Sequence, residues 1–307
     1  MPDEEREGAP KSPQEIARPN LIMGEYKMKF EKLTTAEIQN TTLITEYGKT
    51  WAQDNFDYLN KPMTILGTNE KVEKGSDKFN TYILHLAPHN LISVNTLCAS
   101  AEASGCAADC LAFSGRLAMK NGANAMFKRT VLMLLRPEWF ESKLLSEIDK
   151  AEAKAKRDNI PPLFRLNGTS DLDWSHIFKA RPESKAYDYT KVLSRIRKNN
   201  LPNYDLTFSA SMYSQQSRSA FKKAVERKHR IAVAFNTKES KLDKFTIPSG
   251  FKSFDDTDLR HLDDQVIGVL KRKGSNISER LMENRKRESF FVTESNLEEF
   301  NIIARSA

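Results

Sequence analysis

Apolar residues recur along this chain in two rhythms, and the changes of rhythm mark its elements. Between residues 35 and 60, Ile38, Leu43, Tyr47 and Trp51 fall about a turn apart, which predicts an amphipathic helix. Thr81–Leu86 is β-branched and aromatic at its start and runs into Pro88, the pattern of a strand. After Arg116 the helical rhythm returns as far as Leu135. Pro137 then opens a second helix, at the position that tolerates proline. That helix places Phe140, Leu144, Ile148, Ala151 and Ala155 on one face, and Pro161-Pro162 ends it.

Beyond Pro162 short apolar runs alternate with helix-capable stretches. Leu163–Leu166, Ala186–Tyr189, Leu206–Ala210, Ile231–Phe235 and Val266–Leu270 read as strands, and Gln215–Arg227 reads as a helix. Repeated strand–helix–strand units predict an α/β protein with a mainly parallel sheet, as a full or partial (β/α) barrel or as an open doubly wound sheet. Polar residues gather where each strand ends: Asn167–Asp173, Thr190–Lys191, Ser209–Ser211 and Asn236–Thr237. In parallel α/β folds that carboxyl-terminal edge is where sites are built.

Composition narrows the class. The chain has 307 residues, 39% hydrophobic and 29% charged, enough for one large core. No apolar run is long enough to span a membrane. Residues 1–25 are polar, charged and proline-containing, so they read as a disordered tail before a single α/β domain over 26–307. A cytoplasmic protein is expected, because the start lacks the basic and apolar regions of an export signal. The net charge of +7 is compatible with a nucleic-acid partner. Its local runs, Lys222-Lys223, Arg227-Lys228, Lys271–Lys273 and Arg285–Arg287, are equally the pattern of solvated faces.

The densest chemical signal is LCASAEASGCAADCLAFSGR. Cys98, Cys106 and Cys110 are the chain's three cysteines, and they fall within thirteen residues. An odd number of thiols without an export signal argues against a disulfide framework. Small residues surround them, and Gly105 can supply the positive φ of a wrapping loop. Three readings stay open. A 4Fe-4S iron–sulfur cluster held by three thiolates keeps one iron open for a ligand such as S-adenosylmethionine. Zinc would take a fourth ligand from His85 or His89. Alternatively, the cysteines are small packing groups. The loop's place between an early strand and a helix favours the cluster, since an open iron there would face a barrel mouth.

Arg165-Leu-Asn-Gly-Thr-Ser-Asp-Leu-Asp-Trp174 sets Asn167, Thr169, Ser170, Asp171 and Asp173 at a strand end. The group suits a polar ligand or acid–base chemistry by Asp171 and Asp173, although either acid could instead cap the following helix. Lys191 could pair with an anion in the site, and Ser209 and Ser211 alternate onto one face where they could line its interior. Asp258 with Arg260 reads as an ion pair or as a surface turn. There is no phosphate loop, dinucleotide fingerprint, His-Glu-x-x-His pair or Gly-x-Ser-x-Gly elbow, which disfavours the common hydrolases and dehydrogenases.

These motifs carry a resemblance. Cys98 through Gly115-Arg116, RLNGTSDLD at Arg165–Asp173, DYTK at Asp188–Lys191 and DLRHLD at Asp258–Asp263 resemble the bacteriophage gene product 88 domain family, over roughly residues 80 to 275. The resemblance implies a phage origin, action in the infected bacterial cell and a shared fold, without supplying a reaction. The architecture is also similar to that of radical S-adenosylmethionine enzymes, which place a three-cysteine loop after the first strand of a (β/α) barrel. Their cysteines are usually separated by three and two residues; here the gaps are seven and three. Together these readings predict an iron–sulfur protein acting on a small-molecule or macromolecular substrate, with a zinc-stabilised nucleic-acid-binding protein as the alternative.

Overall fold

The computed structural model describes residues 28–67, 78–236, 251–255, 259–264, 267–271 and 290–306. The expected tail at 1–25, Thr237, Asp258, Val266 and the basic residues 272–273 and 285–287 lie outside them.

Seven strands form one all-parallel sheet. They are β1 (Asn80–Ile83), β2 (Pro162–Arg165), β3 (Ala186–Thr190), β4 (Tyr204–Ser209), β5 (Ile231–Phe235), β6 (Phe251–Ser253) and β7 (Ile267–Lys271). Their spatial order is β1-β2-β3-β4-β5-β7-β6. Because crossovers between parallel strands are right-handed, the order from β1 to β5, which advances without reversing, sets successive helices on the same face; the order reverses only at the β7-β6 edge. The sheet accordingly curls into a half-barrel flanked by helices, the partial-barrel form of the expected fold. Among the described residues β1 and β6 do not pair, so the barrel stays open.

The helices follow their capping chemistry. The stretch over 35–60 is broken into α1 (Thr35–Asn40), α2 (Glu46–Asp54) and α3 (Phe56–Leu59). Thr34 and Glu37 form a capping box at α1, and Thr45 caps α2 by accepting from Gly48 N–H. The polar Thr41-Thr42 step separates them, and Ile44 bridges to Ser93. Ile38 and Trp51 are buried as expected, whereas Tyr47 is exposed. α4 (Lys120–Leu135) follows a single 3₁₀ turn at Gly115–Ala118. α5 (Pro137–Asp158) begins at the proline and ends at Asn159, whose left-handed backbone stops it before Pro161. Its buried Phe140, Leu144 and Ile148 each contribute about 1.5–3 kcal/mol. Shorter helices α6 (Ser175–Ala180) and α7 (Leu193–Lys198) follow β2 and β3, α8 (Gln215–Glu226) follows β4, and α9 (Leu297–Ala304) closes the chain.

Alternation along the strands gives the sheet two unlike faces. Phe164, Ala186 and Tyr204 join the larger core with residues of α4 and α5. Phe208, Ile231, Val233 and Phe235 pack against α8 and α9, where Phe221 and Phe300 stack. On the opposite face, Leu163 and Tyr187 form a small cluster with Leu259, and Arg165 lies over Tyr187 and Tyr189. β1 is shorter than the expected strand to Leu86. Beyond Ile83 the backbone bonds to the β2 side, among the described residues, are Leu84 N–H to Arg165 O and Gly168 N–H to Leu84 O, after which the chain peels away towards the cysteine loop.

Candidate functional site

Every polar cluster expected at a strand end does follow one: Asn167–Asp173 after β2, Thr190–Lys191 at β3, Ser209–Ser211 at β4 and Asn236 after β5. The cysteine loop runs from the end of β1 past that of β2 to the segment after β4. It leaves β1 and pairs Cys98 with Asp171, where Asp171 N–H donates to Leu97. It then reaches the end of β4. Ser211 Oγ donates to Ser104 O at 2.7 Å, and Ser214 and Ser217 hydroxyls donate to Ala103 O at 2.7 and 3.0 Å. Gly105 has φ +70, and a Cβ there would fall 2.5 Å from the Tyr213 ring, so glycine is required both for conformation and for close approach.

This arrangement gathers the thiols. Cys98, Cys106 and Cys110 are free and half-buried. Cys98 Sγ accepts from His89 N–H and points at Thr169 O. Burial pushes the Cys98 thiol up to about 11, partly offset by that N–H bond, while Asp171 and Cys106 add to the rise. Burial pushes Cys110 up to about 12, with Cys106 and Cys98 adding to it. Both thiols also lie in the field of Lys191, which acts the other way. Among the described residues no three His, Cys, Asp or Glu side chains lie at metal-ligand spacing, so the thiols are neighbours without closing around an ion.

The Asn167–Asp173 loop is built as a scaffold. Asn167 Oδ1 accepts from Ser170 Oγ, Leu172 N–H and Trp174 Nε1, and its amide donates to Leu172 O. Thr169 Oγ1 donates to Leu86 O at 2.6 Å. Asn167, Thr169 and Ser170 thus satisfy one another and the backbone. Gly168 permits the loop to press on His85; a Cβ would lie 2.5 Å from His85 Nδ1. Asp171 is buried, accepts Lys191 N–H at 2.9 Å and pairs with Arg195. Asp173 instead accepts from Ser175 N–H two residues on, an Asx-turn leading into α6, whose N-cap position is Trp174 and carries no side-chain cap bond. Burial works to raise the Asp173 carboxyl, but the Ser175 bonds, Arg195 and His176 outweigh that and hold it below the ordinary value. Lys191 Nζ donates to Ser209 Oγ at 2.7 Å.

Of the two histidines considered as metal ligands, His89 has both ring nitrogens engaged, with Thr96 Oγ1 at 2.8 Å and Glu102 Oε1 at 3.1 Å. Half-buried His85 has no hydrogen-bond partner at its buried Nδ1, and desolvation, with Arg165 and Arg129 nearby, drives its pKa down to about 3. Arg260 pairs with Asp263, its neighbour at i+3.

Asp188 is the residue that sequence reasoning passed over. It is fully buried on β3 and accepts from Asn167 N–H at 2.8 Å and Tyr204 Oη at 2.9 Å. Its signal was the carboxylate inside the apolar run Ala186–Tyr189, since a buried acid needs partners. Arg195, absent from any motif, became visible only once α7 placed it against Asp171.

Among the described residues no helix is long and apolar enough to cross a membrane. No curated protein and no solved structure is significantly similar to the chain. The family model for Gene product 88 matches residues 32–291, taking in the cysteine loop, the Asn167–Asp173 loop and every strand of the sheet. The chain therefore belongs to the Gene product 88 family.

Proposed function

We propose that this chain is an iron–sulfur protein, an enzyme of radical S-adenosylmethionine-like type, with Cys98, Cys106 and Cys110 as the cluster ligands. The observation that carries the reading is the placement of the thiols. Three free, half-buried cysteines sit on one loop tied across the carboxyl edge of a parallel half-barrel, two of them, Cys98 and Cys110, in the field of Lys191. The donor set fits: soft thiolates select iron–sulfur clusters, and three of them leave one iron of a 4Fe-4S cluster open. Such a cluster supplies single electrons and a coordination place for a small ligand.

The protein's own residues then divide the tasks. The Asn167–Ser170 scaffold and the Ser211–Ser217 contacts orient the loop, which must tighten on loading because its thiols are not at ligand spacing. Cys98 and Cys110, raised by burial, must give up their protons to bind metal. Asp171 holds Lys191 and Arg195 in place, and Lys191 offers its charge at the mouth. Cys106→Ala, prepared without oxygen, is expected to lose its iron; full iron retention in that variant would refute the assignment.

A second reading has one observation in its favour. His85 is held neutral with Nδ1 unpartnered, against Gly168, whose neighbour Thr169 carries the carbonyl facing Cys98 Sγ. A zinc ion held by the three thiols and His85 would stabilise the loop of a nucleic-acid-binding protein. His85→Ala separates the two readings, since it would lower zinc content while leaving a three-thiolate iron cluster in place.

A further inference from the structure

The sheet face opposite α8 and α9 carries a second feature beside the thiols. Lys191 is half-buried; its ammonium donates to Ser209 Oγ and lies 4.4 Å from the centre of the Phe290 ring. Among the described residues no carboxylate lies within ion-pair distance of it. Asp171, which accepts the Lys191 backbone N–H, is neutralised on its other oxygen by Arg195. One strand away, the Arg165 guanidinium sits 4.9 Å over Tyr189, two residues before Lys191 and so on the same side of extended chain. Arg165, Tyr189, Lys191 and Ser209 are all partly open to solvent.

We propose that this corner, Lys191 and Ser209, binds an oxyanion, the carboxylate or phosphate group of a small-molecule substrate, with the Arg165 charge adding to the field from across Tyr189. That this ligand is a substrate rests on the iron–sulfur reading above; that the corner takes an oxyanion does not. A half-buried ammonium is costly unless a counter-charge meets it, and a ring face steadies it without neutralising it. Ser209 accepts from the lysine, so its own O–H proton remains to be donated, and an acceptor is what completes that hydrogen bond. Both cations are fixed by aromatic contacts, so little ordering is needed when an anion arrives.

The test uses the full chain, metal-free and reduced. Its thiols report on the corner because Lys191 faces Cys98 and Cys110. Modification rates are compared for a dianionic disulfide, 5,5′-dithiobis(2-nitrobenzoate), and a neutral one, 4,4′-dithiodipyridine. Any effect of Lys191 on thiolate formation alters both rates alike, so their ratio isolates attraction of the anion. Lys191→Met is expected to lower the anionic-to-neutral ratio about three- to tenfold, as one nearby unit charge would, and Lys191→Arg to restore it. In the unaltered protein, millimolar inorganic phosphate or acetate is expected to slow the anionic reagent alone; the one effective at lower concentration identifies the group. An equal ratio in the unaltered protein and Lys191→Met, or no competition by either anion, would overturn the proposal. Should Lys191→Met fail to fold, the competition experiment decides by itself. Because no iron is involved, failure here is separate from failure of the cluster reading.

Discussion

Burial holds the Asp188 carboxyl up at about 7, against the Asn167 and Tyr204 hydrogen bonds and the Arg165 charge, which all favour ionisation. An unfolded aspartate titrates near 4, so between those values the folded chain keeps a proton that the unfolded chain has released. This contribution is present in full below about pH 4 and is lost as pH rises towards 7. Asp188→Asn keeps an acceptor for Asn167 N–H and removes the titration; its amide N–H replaces the oxygen that accepts from Tyr204 Oη, so that hydroxyl must turn to accept instead. Urea midpoints should show the variant gaining about 2 kcal/mol relative to the unaltered protein between pH 5 and pH 8; a constant difference would count against a buried, proton-holding Asp188. Asp171 is ion-paired with Arg195. Asp171→Ala leaves Arg195 without its partner and should cost about 3 kcal/mol in denaturant titrations. A double-mutant cycle with Arg195→Ala should give a coupling above about 1 kcal/mol. In sequence Asp171 and Asp173 could not be told apart, since either could be a site acid or a cap. Both are acids at a strand end, and only the position of α7 brings Arg195 to one of them.

At the scale of elements, the cysteine loop is held from both sides. The Asn167–Asp173 loop pairs with its start, and the Ser211–Ser217 segment bonds its turn. Gly105→Ala would add a Cβ against Tyr213 at a positive φ and should cost about 1–3 kcal/mol. The neutral disulfide should also modify the thiols faster, as the turn lifts from β4. Unchanged thiol reactivity would mean that the turn does not control the site. The need for a small, conformationally free residue at 105 was readable from the string of small residues around the cysteines. The partners of the turn were not, since Ser211 and Tyr213 lie more than a hundred residues further on and only the strand order brings them there. The helix expected over 35–60 failed for a local reason: Thr34 and Thr45 each begin a new helix, and side-chain capping outweighs a continuous apolar stripe.

For the whole molecule, alternating strand and helix signals were enough to predict a parallel sheet, because each buried strand is a short apolar run between polar ends. Curvature and openness were not readable, as they depend on strand order, and β6 and α9 gave too short a pattern to separate from loop. The basic runs on α8, Lys222-Lys223 and Arg227-Lys228, are exposed on the far side of a helix whose Phe221, Ala224 and Val225 are buried, as in a solvated face. The chemistry is concentrated at one edge, where the loops after β1, β2, β3 and β4 converge on three thiols and one lysine. The most direct test of that centre is the iron and acid-labile sulfide content of the full chain purified without oxygen, read beside its visible absorbance. About four irons with matching sulfide per chain, and a brown protein, are predicted; a colourless protein holding one zinc, or no metal, would contradict the account.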